Sequence, residues 1–294
     1  MQSYFSQKMN YYIIIPAYNE EKNIEQTLNS VIKQTFLPKK IVIVDDNSTD
    51  KTSEIANRIA SKYDFIERIT INSVPTHQPG AKVINAFNFG LEILDENYDF
   101  IVKLDADLIL PENYFEQIHS VFRENPKVGI AGGRAFVKKN GDWILENLTD
   151  DDHIRGAFKS YRKQCFVEIG KLKAQIGWDT LDEFLARYYG WEIFVDLSLE
   201  VKHLKPTGTA YDKSSQQKQG EAFYTLGYGF LLTFLASIKL ALKKRKPLLF
   251  IDYIIGFFGA MFTKKTRLVT KEQAKFIRKY RWRKIIKKLL GFYK

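Results

Sequence analysis

The 294 residues are 45% hydrophobic and 27% charged, enough apolar material for one large or two modest cores and too much for a disordered chain. A lone cysteine, Cys165, excludes an intrachain disulfide framework and a cysteine metal cluster and suits a reducing compartment. The net charge of +11 is uneven: of 45 Lys/Arg and 34 Asp/Glu, 18 basic residues and two acids (Asp252 and Glu272) lie from Ile238 onward, leaving a body of about −5 and a tail of about +16 that calls for an anionic partner, membrane or nucleic acid.

The first residues, "MQSYFSQKMNYY", lack the basic-then-apolar layout of a secretory signal. Tyr11–Pro16 ("YYIIIP") reads as a buried strand. Residues Glu20–Gln34 follow as a helix with Ile24, Leu28, Val31 and Ile32 on one face. Lys40–Asp46 ("KIVIVDD") is the next strand, with a helix from about Asp50 to Lys62. "FIERITIN" gives a third strand, Gly80–Leu94 a helix, and Asp99–Asp105 ("DFIVKLD") a fourth strand. Pro111 and Glu112 open another helix, and "VGIAGGRAF" is a further strand. Continuous apolar strands alternating with amphipathic helices predict a mostly parallel, Rossmann-like α/β sheet with helices on both faces. Ligands bind such sheets beyond the carboxyl ends of the strands. The polar groups there, Tyr18-Asn19-Glu20, Asp45-Asp46-Asn47-Ser48 and Asp105-Ala106-Asp107, would converge on one crevice.

Asn47-Ser48-Thr49-Asp50 can cap the helix it precedes. The paired acids ask for more. Asp45 and Asp46, like Asp105 and Asp107, close an apolar strand, where desolvation and mutual repulsion are costly unless something cationic compensates. A hard divalent cation takes oxygen ligands and is often held by one or two carboxylates plus substrate phosphates. D-x-D alone also fits a solvated turn. Its place at a fourth strand's end, level with Asp45 and Asp46, favours the cation.

"IIIPAYNEEKNIEQTLNSV", "IVIVDDNSTDKT" and "IVKLDADLILPENYF", in this order and spacing, resemble a family 2 glycosyltransferase of the GT-A fold over about residues 11–205. The resemblance implies a nucleotide-diphospho-sugar transferase domain over 1–205. Base and ribose would be held by Pro16, Ala17, Tyr18, Glu20 and Asp46, with Asp45 beside them. Asp105 and Ala106 would lie against the nucleotide sugar, and Asp107, with Asp105, would ligate a divalent cation, Mn²⁺ or Mg²⁺. It also implies a diphosphate contact for Lys82, for which a surface lysine at a helix start is the alternative. A metal-ligand histidine is implied at His203, after a strand ("EVKHLKPTG"). His77, His119 and His153 have no such context.

An inverting transferase needs a carboxylate within hydrogen-bond reach of the acceptor hydroxyl. Gly177-Trp178-Asp179-Thr180-Leu181-Asp182-Glu183, ahead of Gly190-Trp191, stands where the family carries it. The family form is Glu-Asp, and Trp178 replaces the glutamate here. Asp179 keeps the separation and is the expected base, with Asp182 the alternative. Trp178 and Glu183 are expected on the acceptor side, Trp178 offering a stacking face, although core packing is an equal use for it. Arg155–Phe166 ("RGAFKSYRKQCF") reads as an acceptor-side helix or loop, or an amphipathic helix.

From residue 206 onward the chain turns helical, apolar and basic. Phe223–Leu242 approaches the length of a bilayer span but carries Lys239, and Pro247–Phe262 is too short and carries Asp252. Near the C-terminus Trp282, Ile286, Leu289 and Tyr293 recur at helical spacing among many Lys and Arg. This predicts an interfacial helix on an anionic membrane surface. A helical subdomain packed on the catalytic domain, or on a second copy in a homo-oligomer, is the alternative; the apolar content argues against nucleic acid. The expected reading is an inverting transferase at the cytoplasmic membrane face, moving sugar from a nucleotide-sugar donor (a UDP-sugar favoured) to a saccharide or lipid-linked saccharide acceptor. A polyprenyl-phosphate glycosyltransferase and a non-catalytic membrane-bound partner retaining the fold are the alternatives.

Overall fold

The computed structural model describes residues 9–73, 80–146, 152–205 and 214–291. His77, Tyr293 and residues 206–213 lie outside the described residues.

Four parallel strands form one half of the sheet: β1 (Tyr11–Ala17), β2 (Lys40–Asp45), β3 (Ile66–Thr70) and β4 (Phe100–Leu104), in the order β3-β2-β1-β4. Every residue of β1 and of β4 is buried, as continuous apolar strands covered on both faces must be. The cover comes from α1 (Ile24–Ile32), α2 (Thr52–Ala60), α3 (Ala81–Glu92) and α4 (Tyr114–Glu124).

The second half departs from the parallel expectation. Short β5 (Leu108–Ile109), long β6 (Val128–Lys139) and β7 (Asp142–Leu145) are followed by β8 (Phe158–Arg162) and the brief α5 (Lys163–Glu168). Then come α6 (Trp178–Tyr188) and β9 (Glu192–His203). β8 lies antiparallel against both β4 and β6, β9 runs parallel to β6, and β5 pairs antiparallel with the end of β9, so the sheet is mixed. The middle of the segment expected as a helix or loop, Arg155–Phe166, is thus a central strand, and its end begins α5. "FKSYR" has no apolar run, yet four of its five residues are buried, because a buried carboxylate of α6 takes both the Lys159 ammonium and the Tyr161 hydroxyl.

Beyond residue 213 lie α7 (Ser214–Thr225), α8 (Phe230–Lys243), α9 (Leu249–Phe262) and α10 (Lys271–Leu289). Gly220 and Gly256 let α7 and α9 meet backbone to backbone: a Cβ on Gly220 would lie 1.9 Å from the Tyr253 carbonyl oxygen, and one on Gly256 1.9 Å from that of Gln217. α10 opens with a capping box of Thr270 and Gln273. Its first turns dock on α6 through Phe276 against Tyr188 and Tyr280 against Phe184, with ring centroids 5.5 and 5.8 Å apart. Lys284 adds an ion pair to Asp152 at 2.5 Å. Trp282 packs on the core while Ile286 and Leu289 are exposed, so the helix expected on a membrane is packed on the catalytic domain over its first turns and uncovered over its last. Among the described residues no helix is long and apolar enough to cross a membrane.

Candidate active site

The carboxyl ends of β1, β2 and β4 do bring their polar residues together. After β1 the chain turns through Asn19, whose φ of +54° suits asparagine's tolerance of the left-handed region. The loop after β2 is stitched to this turn. The Asn19 amide donates to Ser48 Oγ (3.0 Å), the Thr49 amide to Asn19 Oδ1 (2.8 Å), and the Glu21 amide to Asp50 (3.1 Å). Ser48–Asp50 therefore tie one loop to another; α2 starts at Thr52, whose amide donates to Asp50 at 2.9 Å.

Asp45 and Asp46 have different surroundings. Asp45 is buried and pairs with Arg68 at 2.9 Å while accepting the Ser48 amide, so its charge is met from within the fold. Asp46 accepts the amide and hydroxyl of Ser73 instead, at 3.2 and 2.8 Å. Pro16 and Ala17 are buried at the end of β1, and Tyr18 stands exposed beside them. Lys82, from the first turn of α3, sits 5.4 Å from the Tyr18 ring centroid, a cation–π distance that brings it to the same side of the crevice. The Glu20 amide donates to Thr52 Oγ1 (2.6 Å), and the Glu20 carboxylate accepts from Lys205 (2.6 Å) and Asn23 (2.9 Å). Burial raises the Glu20 carboxyl above its ordinary range against these partners.

The D-x-D acids do not repel each other unaided. Lys103, two residues earlier on β4 and buried, donates to Asp105, while His203 meets Asp107 at 3.3 Å from across the β5–β9 pairing. Burial raises the Asp105 carboxyl, with Lys103 acting against it. Ala106 is buried between the two acids. Nδ1 of His203 is buried with no hydrogen-bond partner, a polar atom left over in a cluster of two carboxylates and an imidazole. That donor set suits a divalent cation. Among the described residues no three such side chains already close on one point.

The acids of α6 divide just as clearly. Gly177, at φ +79°, turns the chain into the helix. Asp182 and Glu183 point inward: Asp182 takes Lys159 Nζ (2.9 Å) and Tyr161 Oη (2.6 Å), and Glu183 takes Lys159 (3.0 Å), Arg187 (3.1 Å) and the Ile154 amide (3.0 Å). Their side chains are 2% and 4% exposed, against 31% for Asp179. Asp182 and Glu183, expected as the alternative base and an acceptor-side residue, are therefore buried in ion pairs that hold the helix in place, and Asp179 is the more open acid. Trp178 is likewise interior, its ring 5.2 Å from Lys103 Nζ.

His153 stands between the open acid and the buried one, 3.8 Å from Asp179 and 3.2 Å from Glu183. Burial alone would lower the imidazole's pKa, but the two carboxylates outweigh it and raise it to about 9. Burial would raise Asp179, yet His153, with Lys159 and Arg155 behind it, holds it at about 2. Burial takes Asp182 up to about 6 despite Lys159. Glu183 is driven below the carboxylate range, Lys159 and His153 outweighing its burial. His153, Lys103 and Lys159 are the site residues that sequence reasoning misses. Lys103 does carry a signal, sitting inside an apolar strand where a solvated ammonium has no place, whereas Lys159 lies in a strand without an apolar run.

A mixed α/β sheet whose crevice gathers a stitched pair of loops, a D-x-D motif and an open carboxylate at a helix start defines the glycosyltransferase class. The chain belongs to glycosyl transferase family 2, whose sequence pattern matches residues 12–174. It is 27% identical over 186 residues to the poly-beta-1,6-N-acetyl-D-glucosamine synthase of Staphylococcus aureus (strain COL), a match over 57% of this chain and 41% of that protein. The Staphylococcus epidermidis protein of the same name is 28% identical over the same shares. The chain thus spans about two-fifths of the length of these curated relatives. Among solved structures, S. aureus TarS 1–349 in complex with UDP-GlcNAc aligns with a TM-score of 0.57 at 19% identity, over 88% of this chain and 77% of that one. A mannosyltransferase from Pyrobaculum calidifontis in complex with GDP-Man and Mn²⁺ aligns with a TM-score of 0.56 at 14% identity, over 98% and 82%. These likenesses show the GT-A-like fold.

Proposed function

We propose that the chain is an inverting glycosyltransferase that moves a sugar from a nucleotide-diphosphate sugar, a UDP-sugar first, to a hydroxyl of a saccharide or lipid-linked saccharide acceptor in polysaccharide or envelope synthesis. The observation that carries this reading is the open Asp179 on a helix whose other acids are saturated, beside the D-x-D strand. The name of the curated relatives and the UDP-GlcNAc bound by TarS support a UDP-sugar donor.

Tyr18, Asp46 and Lys82 would take the nucleotide end of the donor. Asp107, with Asp105 and His203 beside it, would hold a divalent cation, which supplies positive charge to the departing diphosphate. Asp179 accepts the proton of the acceptor hydroxyl as that oxygen bonds to the anomeric carbon and the bond to the diphosphate oxygen breaks. Ionised throughout the neutral range, Asp179 needs no prior deprotonation before it takes that proton.

A donor screen tests the reading: UDP-, GDP- and dTDP-sugars with Mn²⁺, following nucleotide release. Metal-dependent release from a UDP-sugar is expected. If no donor binds or is cleaved, a non-catalytic partner with the same fold is the better description.

A further inference from the structure

α8 and α9 leave an apolar surface uncovered. On α8 Leu231, Phe234, Leu235, Ile238 and Leu242 are exposed in a stripe at intervals of three and four, beside exposed Phe230 and Lys239; at the start of α9 and along it the exposed apolar residues are Leu248, Ile251, Ile255 and Phe262. Exposure reaches 64% at Leu231, 69% at Leu242, 74% at Leu248 and 75% at Phe262. Such values at large apolar side chains on two neighbouring helices mark a contact surface.

The two stripes share one side. Phe230 lies near Phe258 (5.7 Å) and Phe234 near Phe250 (5.3 Å), so rising numbers on α8 meet falling numbers on α9 and the helices are antiparallel. At about 100° per residue, the centre of each stripe lies roughly a quarter turn from this aromatic seam, clockwise when its own helix is viewed from its N-terminus, with Phe234 at the edge where seam and stripe meet. Because the helices run in opposite directions, those quarter turns point the same way. The result is an apolar plane about 20 Å long, from 14 residues at about 1.5 Å rise each.

Cations stand at both ends of this plane. Lys243 ends α8 and Lys244-Arg245-Lys246 form the exposed turn between the helices, while Lys264, Lys265 (paired with Glu221) and Arg267 follow α9 at the other end. From Ile238 onward the chain has only Asp252 and Glu272 as acids. Apolar side chains flanked by basic side chains at both ends suit a surface that is hydrocarbon at its centre and anionic where the backbone emerges. A second copy of this chain would bring the same cations against themselves.

We infer that the α8–α9 hairpin lies flat in the interface of an anionic membrane, with Leu231, Leu242, Ile251 and Phe262 in the acyl region and the basic turns among the headgroups. The element that touches lipid is thus this hairpin, while α10 is held against α6.

Flotation of the full chain with vesicles of phosphatidylcholine alone, or with about 30% phosphatidylglycerol, tests this without donor or acceptor, so its outcome is independent of the catalytic reading. Wild type should float with the anionic vesicles. Leu231→Glu with Ile251→Glu should weaken binding at least about tenfold. Arg245→Gln with Lys246→Gln should weaken it by about ten- to thirtyfold and reduce its dependence on salt. All four positions are exposed, and unchanged circular dichroism and thermal unfolding would confirm intact folding. No flotation at low salt would overturn the inference. So would a concentration-dependent dimer that the Leu231→Glu/Ile251→Glu variant dissociates while vesicles go unbound, which would assign the face to a second copy.

Discussion

Lys103 on β4 stands directly across from Lys159 on β8, and both are buried. Cross-strand neighbours point to the same side of a sheet, and like charges so placed are destabilising. Here each ammonium is claimed by a different part of the site: Lys103 by Asp105 and the Trp178 ring, Lys159 by Asp182, Glu183 and the Asp179 carbonyl. The D-x-D motif and the helix that carries Asp179 therefore hang from adjacent positions on two neighbouring strands.

Lys159→Met should destabilise the protein by about 3–5 kcal/mol, because it strands the Asp182 carboxylate in the interior without its cation and leaves Glu183 to Arg187 and His153. Urea unfolding measures the loss. Adding Asp182→Asn should recover part of it, since the uncompensated charge is then gone; strictly additive losses would show that the pair is not coupled.

Lys103→Met removes charge at similar volume and leaves only Asp105 without its partner. Stability should fall by about 1–2 kcal/mol, while the donor's Kd should rise about tenfold as Asp105 loses its orientation. Titration calorimetry with the donor, beside thermal unfolding, separates the two effects.

The His153 pair gives stability a pH dependence. Below about 6.5, the ordinary histidine value, the imidazole is charged folded and unfolded, and its full contribution is present. Between there and about 9 only the folded chain keeps the proton, so stability falls as pH rises, by up to roughly 3 kcal/mol. Above that the contribution is gone. His153→Gln should flatten this slope in unfolding curves from about pH 6 to about pH 9.5. An unchanged slope would assign it elsewhere.

Gly156 sits under Asp179. A Cβ there would lie 2.9 Å from the Asp179 Cβ and 2.7 Å from Trp178 Cζ2. Gly156→Ala should push the start of α6 outward, lowering kcat by about tenfold to a hundredfold while the donor's Kd is kept, because misplacing a catalytic group by a fraction of an ångström is costly. Steady-state kinetics beside donor titration checks that split.

What is legible in the chain follows from how each element is buried. β1, β2 and β4 bury both faces with continuous apolar runs, and their polar exits, Tyr18 to Glu20, Asp45-Asp46 and Asp105 to Asp107, read directly as one crevice. β8 does not, because Lys159 and Tyr161 are polar residues whose burial depends on Asp182, 23 and 21 positions away. His153 is hidden for the same reason: its partners, Asp179 and Glu183, come from a helix distant in sequence. The tail's apolar and basic character is legible, but only the packing of α10 on α6 shows which helices remain uncovered.

The proposed chemistry turns on Asp179 receiving the acceptor's proton. The direct measurement is kcat for sugar transfer by Asp179→Asn, from the donor found in the screen and with source membranes as the acceptor pool. A loss of about 10²- to 10⁴-fold is expected, with the donor's Kd unchanged. An unchanged kcat would remove Asp179 as the base and point to an acceptor already ionised, such as a polyprenyl phosphate.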